Sequence, residues 1–73
     1  MTFKDYLYNI VNIPFNLAYF NNSGTYGLAF NDAVDSLTSI ISEVHDDFVV
    51  VLNSKTGKRT HIVPISKIAC IKG

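Results

Sequence analysis

Hydrophobic positions change their period along this chain, and each change predicts a different element. Phe3, Tyr6, Leu7, Ile10 and Val11 recur at helical spacing behind Thr2, with Asp5 three positions on in a capping-box arrangement. A helix over about residues 3–12 follows. It ends in Asn12 to Pro14, because the residue before a proline is pushed out of the helical region. Phe15, Leu17 and Tyr19 then alternate with Asn16 and Ala18 as in a strand, before the turn chemistry of Asn21-Asn22-Ser23-Gly24.

Between residues 32 and 44 two patterns overlap. Ala33, Val34, Leu37, Ile40, Ile41 and Val44 keep helical spacing behind an Asn31 or Asp32 cap. The composition of Leu37 to Ser42, rich in β-branched and hydroxyl side chains, favours a strand instead. Both readings stand on the sequence. After a turn at His45-Asp46-Asp47, the run Phe48 to Leu52 has the length and β-branched content of a buried strand. Asn53 to Lys58 contains Gly57 and reads as a hairpin loop, and Arg59 to Val63 as the returning strand, with Arg59, His61 and Val63 on one face. Pro64 marks a strand end or edge, Ile65 to Lys67 a tight corner, and Ile68 to Ile71 a short last strand with Cys70 on the face of Ile68. The expected fold is mainly β, a single small barrel over residues 1–73 with a short N-terminal helix; the alternative is α+β with a second helix at about 32–44.

Residues 39–52, SIISEVHDDFVVVL, followed by GKRTHIVPISKIACI at 57–71, resemble the bacterial Sm-like and SH3-like small β-barrel proteins. The resemblance covers about residues 36–73 and implies a fold far more than a function. Against the RNA-binding Sm pattern, Ser39 stands where a glycine is expected, Val49 or Val50 where an Asn would fall, and Pro64-Ile65 where an Arg-Gly pair would fall. Only Asp46 or Asp47 matches the turn Asp of that pattern.

Composition sharpens the picture. With 48% hydrophobic and 16% charged residues, the chain is too apolar for a disordered tail and poor in charge for a soluble monomer, where about 25% is usual. At this length only about 60% of the unfolded surface can be buried, so association is a natural source of stability. Net charge is zero, which removes a whole-molecule field for a polyanion. That zero hides a dipole. Residues 32–47 hold five acids and no base, and residues 55–72 five bases and no acid.

Eight of the nine aromatic residues fall before residue 31. No charged residue lies between Tyr6 and Asn31, but five asparagines and Pro14 interrupt that stretch, so a bilayer span is not expected. The N-terminus lacks the pattern of a signal peptide, and the lone Cys70 excludes an internal disulfide; a reducing, cytoplasmic location is the expectation.

No nucleophile stands beside a base and no carboxylate pair or metal-ligand spacing is evident, so the chain reads as a non-enzyme without cofactor or metal. Cys70 reads as a small hydrophobe, and His45 as a turn former. The candidate binding residues are the basic hairpin Lys55, Lys58 and Arg59, the neighbouring His61, the acidic turn Asp46 and Asp47, and the aromatics Tyr19, Phe20 and Tyr26. Complementary charge on one small protomer favours a self-associating scaffold, with a ring as one possible closure, or a module for another protein. The alternatives are single-stranded RNA or DNA binding through the basic hairpin and aromatics, and a small inhibitor of a host enzyme.

Overall fold

The computed structural model describes all 73 residues. Helix α1 spans Phe3–Asn9, and the strands are β1 (Asn16–Phe20), β2 (Thr25–Ala29), β3 (Ser39–Val44), β4 (Phe48–Asn53), β5 (Arg59–Pro64) and β6 (Ile68–Lys72). Short 3-10 turns occupy Val34–Ser36 and Ile65–Lys67. The strands form two three-stranded sheets, ordered β1-β2-β6 and β3-β4-β5. The fold is therefore mainly β with one short helix.

The predicted capping box is present: the Thr2 hydroxyl accepts from the Asp5 N–H at 3.2 Å, and the Asp5 carboxylate accepts from the Thr2 N–H at 3.0 Å. Such a cap satisfies two otherwise orphaned amides. The helix is shorter than its apolar pattern predicts. It ends at Asn9 because Ile10 leaves helical geometry, Val11 forms a bridge to Ile41, and Asn12 sits in the left-handed region at φ 67°. The sheet thus captures the backbone that helical periodicity assigns to a third turn. Leu7 and Ile10 plug the space between the sheets, whereas Phe3 and Tyr6 remain exposed.

The second helix is overturned. Val34–Ser36 makes one 3-10 turn, and Ser39–Val44 is a strand paired antiparallel with β4. Hydrogen bonding to β4 satisfies every other amide of a β-branched segment that has weak helical propensity, and the strand reading prevails. Strand β2, which the hydrophobic pattern does not predict, lies at the centre of its sheet between β1 and a parallel β6.

The core unites Leu7, Ile10, Phe15, Leu28, Ile41, Val49, Val51 and Val63. Phe15 is fully buried, its ring 5.4 Å from that of Phe30, and its backbone bridges to Ser39, stitching the β1 region to the other sheet.

Register, rather than simple alternation, decides which side chains face this core. Opposite Tyr26 and Gly27 stand Ile68 and Cys70, so Ala69 is an extra residue in β6. The bulge lets both Ile68 and Ile71 pack on the core and turns Cys70 outwards, exposed. The expectation that Cys70 shares the face of Ile68 is thereby corrected. Likewise Leu52 pairs with Arg59 while Val51 pairs with His61, leaving Thr60 unpaired in β5. Arg59 consequently leaves the face it was expected to share with His61 and Val63.

Candidate interaction surfaces

Strand β4 is apolar on both sides, and the main core packs on only one of them. Val49 and Val51 point into the core. Phe48, Val50 and Leu52 alternate to the outer side, where Val50 pairs with Ile62 and Leu52 with Ile40. None of these five side chains belongs to the main core cluster or to the residues packed against it. Val50 lies sheltered among its neighbours at 5% exposure, and Ile62 stands up at 54%. The result is an apolar sheet face bounded by Glu43 on β3 and Arg59 on β5.

The apolar run Phe48 to Leu52, expected as a buried strand, packs on the main core with Val49 and Val51 only. The available signal was the absence of alternation: such a strand needs cover on both faces.

The two ends of β4 carry opposite charge. Its six residues span about 17 Å between the acidic turn of Asp46 and Asp47 and the basic hairpin of Lys55 and Lys58. That hairpin is ordered by Asn53, whose side-chain carbonyl accepts from the N–H groups of Lys55 at 2.9 Å and Thr56 at 3.0 Å. Gly57 follows at φ 72°, a backbone conformation that disfavours side chains. Lys55, Lys58 and Arg59 are exposed and form no ion pair within the chain.

At the other end Lys4 pairs with Asp46. Their hydrogen bond is the main reason that the Lys4 ammonium is held above its usual range and the Asp46 carboxyl below its own. His45 bonds Glu43 at 2.9 Å and stacks on Phe48 with ring centroids 4.5 Å apart. Asp47 has no ion-pair partner, and its backbone carbonyl accepts from Ile65.

The aromatic candidates separate. Tyr19 packs against Tyr26 at 5.0 Å, and Tyr26 meets His61 edge-on at 6.0 Å, so these three join the two sheets. Phe20 lies on the opposite face of β1, with its ring against Gly27: a Cβ on Gly27 would come within 2.9 Å of it. The nine candidates therefore occupy four places, namely the basic tip, the acidic turn, the aromatic junction and the outer face of β1-β2-β6.

No group of three His, Cys, Asp or Glu side chains converges to hold a metal, and no helix is long and apolar enough to cross a membrane. No protein-family model, curated protein or solved structure matches the chain.

Proposed function

We propose that this protein is a non-enzymatic interaction module that associates with a second copy of itself through the outer face of β3-β4-β5. The observation that carries the reading is the set of Ile40, Phe48, Val50, Leu52 and Ile62, paired neighbours that form an apolar sheet face outside the main core cluster, with Ile62 the most exposed of them. A contiguous patch of this kind on a small domain marks an interaction site.

Charge selects the occupant. When two such sheets stack about 10 Å apart across a two-fold axis perpendicular to their strands, the acidic end of each β4 meets the basic end of the other. A self-complementary face of this kind gives a closed pair, whereas a ring requires two different contact patches. Gel filtration coupled to light scattering tests the reading. A dimer at tens of micromolar that loosens with salt and dissociates in Ile62→Glu supports it; a monomer at all salt concentrations overturns it.

The alternative is single-stranded nucleic-acid binding. It is favoured by the Tyr19, Tyr26 and His61 cluster and by the unpaired cations of the basic hairpin, two separate places on the surface that a flexible single strand could span. It also agrees with the Sm-like resemblance of residues 36–73. Stacking on the tyrosines and neutralisation of phosphates by Lys55, Lys58 and Arg59 would supply the affinity. Binding of an oligonucleotide that falls steeply with salt and weakens in Lys58→Ala and Arg59→Ala is the required result.

A further inference from the structure

The outer face of β1-β2-β6 carries a pocket of about 180 Å³ on the sheet opposite to the proposed self-association face. Its floor is made by small residues brought into one row by pairing, since Ala18 stands opposite Gly27 and Gly27 beside Cys70. Phe20 provides an apolar wall, its ring resting against Gly27.

The rim bears one cation and one anion that do not neutralise each other. Lys72 and Asp32 both line the pocket, yet they form no ion pair. Asp32 is held on the β1 side by the Asn16 side-chain N–H at 2.7 Å. That bond engages one carboxylate oxygen and leaves the other without a hydrogen-bond partner. Lys72 projects from β6, in the row that runs from Asn16 through Ala29 to Lys72.

We infer that this pocket binds a small zwitterion with an apolar side chain, of the α-amino acid class. The row crosses two interstrand spacings, about 9.6 Å between the backbones of β1 and β6, and Asp32 and Lys72 both reach the one small cavity over it. An unpaired cation and anion on the rim of a cavity this small suit a molecule whose own opposite charges are only a few bonds apart. Its carboxylate faces Lys72, its ammonium faces Asp32, and its side chain lies over the small-residue floor against Phe20. The cavity is well below the roughly 300–1,000 Å³ of sites for drug-sized ligands, which sets the size class.

The test is amide-resolved NMR titration of the full chain with leucine, leucinamide and N-acetylleucine. Leucine is expected to shift the Gly27, Ala29, Asp32 and Lys72 amides saturably, with Kd of about 1 mM, the weak end of the affinity scale. Leucinamide lacks the carboxylate and N-acetylleucine lacks the ammonium, and each binds at least fivefold more weakly. Lys72→Met erases the difference between leucine and leucinamide, and Asp32→Asn erases that between leucine and N-acetylleucine. Both variants lie at exposed positions outside the core, and an unchanged spectrum elsewhere verifies their fold. Absence of saturable shifts, or equal binding of all three probes, overturns the assignment.

Discussion

Adjacent residues Ile62 and Val63 offer a clean separation of assembly from folding. Val63 is 1% exposed in the core, and Ile62 is 54% exposed on the outer face. Fully burying a side chain of this size contributes about 1.5–3 kcal/mol. Val63→Ala should therefore destabilise the protomer by up to that range, and a domain of this size loses about 4–8 °C in Tm per kcal/mol.

Ile62→Ala is expected to leave the protomer within about 0.5 kcal/mol of wild type, as exposed positions usually do. Its effect falls on association. Roughly half of the side chain remains to be covered, about 0.8–1.6 kcal/mol per copy and twice that across a two-fold interface. Every 1.4 kcal/mol is a factor of about ten, so the dimer weakens by roughly one to two orders of magnitude. The assays are sedimentation equilibrium for association and denaturant unfolding, performed below the dissociation constant, for the protomer. Equal destabilisation of the isolated protomer by the two substitutions, or unchanged association in Ile62→Ala, would refute the assignment of faces.

Three further outcomes follow from local geometry. Cys70 should react fully with a small disulfide reagent in the native protein without denaturant, because the bulge at Ala69 leaves its thiol outside the core; protection until unfolding would contradict that register. Gly57→Ala should cost about 1–2 kcal/mol, read by chemical denaturation, because Gly57 has φ 72° with no neighbouring atom within 4 Å to add or relieve a contact. In a carboxyl NMR titration, Asp46 should titrate below 3.8 and return towards that value in Lys4→Met. Its stabilising contribution is present above the unfolded value and fades as pH falls through the folded one; that of Lys4 is present below 10.5 and fades as pH rises beyond its elevated folded value. Both effects are small because the pair is exposed to solvent.

The chain's local signals were sufficient wherever one segment determines its own geometry. Thr2 and Asp5 specify a cap through bonds three residues apart, Asn53 and Gly57 specify a hairpin, and Pro64 limits the end of β5. The basic tip and the acidic turn were legible for the same reason. Residues 37–42 were not, since their apolar spacing fits a helix and their composition a strand; pairing with β4, which lies outside that segment, settled the matter.

Facing is where sequence alone stopped. A strand's period of two is a property of its backbone, so the sequence by itself determined that Phe48 to Leu52 presents apolar side chains in both directions. Only the tertiary structure decided which direction is covered, because that depends on where α1 and the second sheet dock. It also placed the extra residues Thr60 and Ala69, which move Arg59 and Cys70 away from their expected faces. A bulge arises from the competition of two strands for one hydrogen-bond register, and no single strand contains both sides of that competition.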